Sequence, residues 1–234
     1  MRRSLLDRHA TGVAVVERLA AKKVPEALGP RVEAFTAAHR AFEEAAQATV
    51  EASRAHEAAL AAIRAADAAL GRAVERLAAT LVGAGLGARR NPFKGFSRHS
   101  PAALRALPCV TEIVAVRKLA AQLNLEERPA EVVRSLGECL QRAAELQRAV
   151  VALTYPQTLW ALSRAARDAA AADWNRAYAR LRRGAQLALE DDPAGLKALF
   201  AAPGRILRPV GRRAKRAQSP AAAPEQAAAG GDGR

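Results

Sequence analysis

Aromatic side chains are scarce in this chain, at 4% of 234 residues, while alanine occurs 61 times. That shortage excludes a core built on stacked rings. Each alanine buries little area, so cohesion must come from close helix approach and scattered leucines. The two cysteines, Cys109 and Cys139, are too few for a disulfide scaffold and lack metal-ligand spacing. Long apolar runs are missing too. The longest uncharged stretches, 77–88 and 149–163, fall short of the ~20 residues that span a bilayer. Residues 1–7 are basic but lack the apolar segment of a secretory signal. The expectation is a cytoplasmic protein with no transmembrane span. No window alternates long enough to read as a strand, and no repeat of fixed period emerges.

What is abundant is helix-forming and basic. The net charge is +14, and arginine far outnumbers lysine. With so much Ala, Gly and Pro, this fits a GC-rich, bacterial coding sequence, which by itself accounts for part of the basic excess. Placement is more telling. Residues 30–82 carry six basic and seven acidic side chains, whereas loop 83–100 holds Arg89, Arg90, Lys94 and Arg98 with no acid. The tail adds Arg205, Arg208, Arg212, Arg213, Lys215 and Arg216. The charge therefore concentrates in two short segments.

The stretch 30–82 organises the chain. No proline follows Pro30 within it, and Ala, Leu, Glu and Arg dominate, the residues a helix orders most easily. A helix of that length spans ~80 Å. Val32, Phe35, His39, Phe42, Ala46, Thr49, Ser53, His56, Leu60 and Ile63 alternate spacings of three and four, a heptad seam that then meets Asp67 and resumes at Leu70. Its middle, Ala46 to His56, is small or polar and should be the weakest part of the core. A bend or a buried polar layer is expected there.

Shorter helices are predicted on either side. Ser4 caps a first one with Asp7 in near capping-box spacing, and Leu6, Val13, Val16 and Leu19 form its apolar face. After the loop, helices are expected over about 101–123, interrupted at Pro108, then 129–153, 156–190 and 193–200. Asn124 suits a C-terminal cap, and Thr154–Pro156 reads as a sharp turn or kink. Over 156–190, Leu159, Leu162, Ala166, Ala170, Trp174, Ala177, Leu181 and Ala185 are read as facing inward. The predicted fold is all-α: an elongated, coiled-coil-like antiparallel bundle over 1–200, with a disordered basic tail over 201–234. The central helix outruns partners of about 25 and 35 residues, so it must overhang, bend, or be covered by the first helix or a second copy. A homodimer is the economical answer.

Chemistry-bearing patterns are few. Arg89, Arg90, Phe93, Lys94, Phe96 and Arg98 interleave cations with rings, as surfaces do that hold a phosphate backbone and stack on bases, or that sit at a lipid boundary. The plain alternative has both rings plugging the end of the bundle. The tail cluster Arg205 to Arg216 suits weak, salt-dependent nucleic-acid binding or an anionic membrane, or else serves only solubility. The glycines at 83, 85 and 87 follow a helix and lack a Walker lysine, so they make no nucleotide loop. His39, His56 and Glu43 do not match a bundle metal site and read as seam residues that set register. Cys109 and Cys139 read as small core residues. Trp160, Trp174, Tyr155 and Tyr178 read as core anchors, or as the lining of a pocket. No cofactor, metal or catalytic set is expected. The function implied is a non-enzymatic helical interaction or scaffold protein that self-associates and meets an anionic partner. The alternatives are a nucleic-acid binder and a peripheral membrane binder.

Overall fold

Ser4 and Asp7 exchange hydrogen bonds, Asp7 N–H to Ser4 Oγ and Ser4 N–H to Asp7 Oδ2, each 3.2 Å. This capping box opens α1, Leu5–Ala21. The computed structural model describes residues 4–21, 25–123 and 128–202. A single 3-10 turn, Glu26–Leu28, leads into α2, Gly29–Gly83, which is 55 residues long and carries Pro30 in its first turn. There follow α3 (Pro101–Arg105), α4 (Cys109–Gln122), α5 (Ala130–Ala152), α6 (Thr154–Ala188) and α7 (Pro193–Leu199). Ser100 Oγ caps α3 through Ala103 N–H, and Asp192 Oδ1 caps α7 through Gly195 N–H. Among the described residues there is no strand. The all-α, elongated, antiparallel reading therefore holds. The expected cap at Asn124 and the tail from 203 onward lie outside the described residues.

α2 stops where its sequence dictates. Gly85 takes φ 72°, Leu86 N–H bonds Leu81 C=O at 2.9 Å, and Gly85 N–H bonds Val82 C=O at 3.1 Å. This is a complete Schellman end, with Leu86 and Leu81 supplying its apolar contact.

At Thr154–Pro156 the structure takes the kink and not the sharp turn. Only Leu153 separates α5 from α6, and it keeps helical backbone at φ −67°, ψ −28°. Pro156 sits in the first turn of α6, where a missing N–H is tolerated, so the chain bends without turning back. The two helices form one bent rod of 59 residues that runs antiparallel to α2. Arg76 meets Glu138 and Arg31 meets Gly184, which fixes that direction. The length mismatch inferred from the sequence thus disappears: two long rods of nearly equal length lie side by side.

The apolar residues gather in two clusters that share no member. One joins Leu70, Val74, Leu77 and Leu81 of α2 to α4, α5, Phe93 and Leu104. The other joins Phe35 and Phe42 to Val15 and Leu19 of α1, to Trp174 and Leu181 of α6, and to Leu199 of α7. Between them, over about 49–62, α2 and α6 run as a pair. Here Thr49 Oγ donates to Ala45 C=O at 2.8 Å and to Ser163 C=O at 3.0 Å, and His56 stacks on Trp160 at 4.8 Å. The small, polar middle of the seam is a thin waist.

Two faces differ from expectation. In α1, Gly12, Val15 and Leu19 are buried and Leu6 is exposed. In α6, Trp160 and Ser163 face α2, leaving Leu162 (63%) and Tyr155 (74%) exposed and Leu159 partly so. The expected stripe advanced by fours from Leu162 to Trp174, which drifts off a heptad seam. Counting back by sevens from Trp174 gives Trp160 instead.

The added helices cover one side only. α1 sits against His39 through Gly12 and reaches Glu43 through His9. α3 and α4 sit against Gly71 through Arg105 and Asp67 through Cys109. His39 and Asp67 are four heptads apart, as are Glu43 and Gly71, so all these contacts share one side of α2. The opposite side of the hairpin carries no third helix among the described residues.

Candidate functional site

The loop after α2 is held as a series of turns. Ala88 and Asn91 form an isolated bridge, and Asn91 Oδ1 accepts from Phe93 N–H at 3.3 Å. Phe96 N–H and Ser97 N–H both bond Phe93 C=O, at 2.9 and 2.8 Å, and Gly95 takes φ 92°. Gly87 lies against Pro92, where a Cβ would come within 2.6 Å of the proline carbonyl oxygen. Each turn uses a residue type suited to it.

Phe93 anchors this loop in the core with no exposed surface. It is therefore unavailable to stack on a base or enter a lipid surface, which corrects its reading as a contact residue. Phe96 is half-buried against the same cluster, under the Arg128 guanidinium at 5.6 Å from its centroid. The aromatic part of the motif plugs the end of the bundle, since two large rings gain more from burial than from water. The cationic part points outward: Arg89, Arg90, Lys94 and Arg98 are all exposed. Among the described residues none of the four forms an ion pair with a carboxylate, and Arg98 Nε donates to His99 Nε2 at 3.0 Å. Arg205, Arg208, Arg212, Arg213, Lys215 and Arg216 lie outside the described residues.

No protein family, curated protein or solved structure matches this chain. Chemistry must be read from the side chains.

Besides Thr49, the buried polar or charged side chains among the described residues are His39 and Glu112. His39 is buried and stacked on Phe35 at 6.2 Å, with Nε2 3.5 Å from Glu43 Oε1; His9 Nδ1 meets the same oxygen at 3.0 Å. Burial lowers the His39 pKa, Glu43 opposes that, and His9 adds to it. His56 is elsewhere, on Trp160. Among the described residues no group of three or more His, Cys, Asp or Glu is placed to hold a metal.

The second is Glu112 of α4, 1% exposed, with Oε2 unpartnered. Its pKa is pushed up to about 7, first by burial and then by Asp67, with Arg105 opposing. Cys109 donates to Asp67 Oδ1 at 3.7 Å, and its own thiol pKa is raised by burial and by Asp67. Sequence reasoning placed Asp67 on the seam but missed Glu112, because nothing local marks a glutamate that tertiary packing will bury. Cys139 is a core residue as read, its thiol pushed up to about 12 by burial. No described helix is long and apolar enough to cross a membrane.

Proposed function

We propose that this chain is a non-enzymatic helical scaffold that self-associates along its rods and offers a cationic tip to an anionic partner. One observation carries this reading. Four fixed charges stand exposed on a loop folded into hydrogen-bonded turns and anchored by buried Phe93, at one end of a hairpin ~80 Å long. Ordered display of like charges raises the local potential and steers an anionic surface to that end. A nucleic-acid binder is the second reading. With Phe93 in the core, it would rest on phosphate contacts and not on base stacking, so binding would be insensitive to sequence.

Replacing Arg89, Arg90, Lys94 and Arg98 with glutamine tests the tip. Retention on anionic vesicles or on duplex DNA should fall, while the helical circular dichroism signal and self-association stay unchanged. With DNA, the slope of log K against log salt should shrink by about 3–4, close to one for each phosphate that these side chains neutralise. Unchanged retention on both ligands would remove the tip from the function. Loss on only one ligand names the partner class.

A further inference from the structure

Among the described residues one side of the hairpin is covered by no further helix, and its central part is largely apolar, with exposed Glu51 as the charged residue on the α2 strip. On α6 it presents Tyr155, Leu159 and Leu162, with Val151 (66% exposed) beside them. On α2 it presents Ala48, Ala55, Ala58 and Ala62, all exposed. The sequence has no charged residue between Arg148 and Arg164, and Arg164, itself exposed, lays its guanidinium over the Trp160 ring at 5.0 Å. Large side chains this exposed, beside alanines that let another backbone approach closely, mark an interaction surface.

The face is complementary to itself when reversed. Reflecting the rod about the point between Trp160 and Ala161 sets Leu159 on Leu162 and Tyr155 on Ala166, bulky against small. The same reflection sets Arg148 on Asp173 and Glu145 on Arg176, opposite charges in both pairs. On α2 the stripe reflects about Ala55, exchanging Ala48 with Ala62. Ala55 is level with the same point, because its neighbour His56 stacks on Trp160. Both rods thus share one centre of reversal. That is the signature of an isologous two-fold contact, in which residue i meets j and j meets i. A tail or an unrelated helix would need no such symmetry.

The size also fits. From Glu145 to Arg176 the face runs ~47 Å, and two helices give it a width of ~20 Å, or roughly 900 Å² per copy. A stable interface needs about 800 Å² per partner. Asp173 pairs with Arg176 and Glu145 with Arg142 within the chain, but these exposed pairs hold little energy and exchange readily.

We infer that this face is occupied by a second copy of the chain, its α5–α6 rod antiparallel and centred between Trp160 and Ala161. This deepens the scaffold reading and rests on its self-association. Full overlap of the two rods then places the cationic tips at opposite ends of the dimer.

Sedimentation equilibrium of the full chain tests it. The wild type should sediment at twice its 24.7 kDa mass. Leu162→Glu sets a carboxylate against the partner's apolar face twice per dimer and should raise the dissociation constant about 100-fold or more. Because Leu162 is exposed in one copy, the variant should keep its helical signal. Val110→Glu, on an exposed position of α4, should leave the dimer intact. Asp173→Arg and Arg148→Asp should each weaken association about tenfold, and the double exchange should restore it. These two residues lie ~37 Å apart along one rod, so rescue requires a second chain in this register.

A wild-type monomer would overturn both the dimer and the self-association reading. A dimer indifferent to Leu162→Glu would overturn this face and leave self-association by another. Dissociation by Leu162→Glu without charge-swap rescue would overturn the antiparallel register.

Discussion

Trp174→Ala is expected to unfold one end of the rod while the other end stays folded. Trp174 is 1% exposed, parallel to Tyr178 at 5.0 Å between centroids and edge-on to Phe35 at 5.6 Å. It is the largest side chain of the cluster that binds α1 and α7 to the hairpin. Removing a buried aromatic costs about 3–5 kcal/mol, a large share of the stability of a chain this size. The two clusters share no residue and are joined by a waist that buries little. The loss should therefore stay local. Thermal melting followed by circular dichroism should split into two transitions. Hydrogen exchange should become fast over α1, α7 and residues 29–45 while α4 and α5 remain protected. Trp174→Phe should cost far less, because the indole N–H has no partner and phenylalanine leaves none to satisfy. A single cooperative melt lowered at both ends alike would show that the clusters are energetically one.

Glu112 is expected to make the α4 end less stable as the pH rises. Its folded pKa is about 7, against 4.5 for a free glutamate, because burial and Asp67 disfavour its charge. The unfolded chain releases that proton more easily than the folded one. Stability from this group is therefore full below pH 4.5, declines between 4.5 and 7, and is flat above. The whole decline is on the order of 3 kcal/mol. The groups that face Glu112 are Asp67 and Arg105, with Cys109 beside Asp67. Glu112→Gln keeps the shape and a donor for Asp67 but has no proton to lose. At pH 8 it should melt several degrees above the wild type, and at pH 4 the two should nearly coincide. Parallel melting curves across that range would refute the assignment.

Much of this fold was legible before any coordinates. The span of α2, the caps at Ser4, Ser100 and Asp192, and the thin middle of the seam all follow from local rules. Helix propensity, capping chemistry and heptad spacing act within a few residues, so one chain contains them. What escaped was set by choices between helices. Around Leu159 the sequence offers two apolar stripes, and α2 can take only one of them. It takes the stripe with Trp160, which stays in phase with Trp174, and the other is left outside. The fours-only spacing from Leu162 to Trp174 was the available signal. Likewise, Pro156 marked a boundary correctly, but whether the chain bends or reverses there depends on what α5 and α6 pack against. Of the basic loop, the charges were read correctly as exposed, while Phe93 went to the core because the end of the bundle needed filling.

The rod's self-pairing is tested most directly by distances between spin labels in two copies, measured by pulsed electron resonance. Labels go on exposed Ala161 and, separately, exposed Ala172, with Cys109 changed to serine and Cys139 left in place, since it is fully buried. An antiparallel pair centred between Trp160 and Ala161 puts the two copies' labels nearly level at 161 and ~35 Å apart along the rod at 172. The distance should therefore grow steeply from the first position to the second. Equal distances at both positions would mean parallel rods, and no dipolar signal at either would mean that the copies do not pair at all.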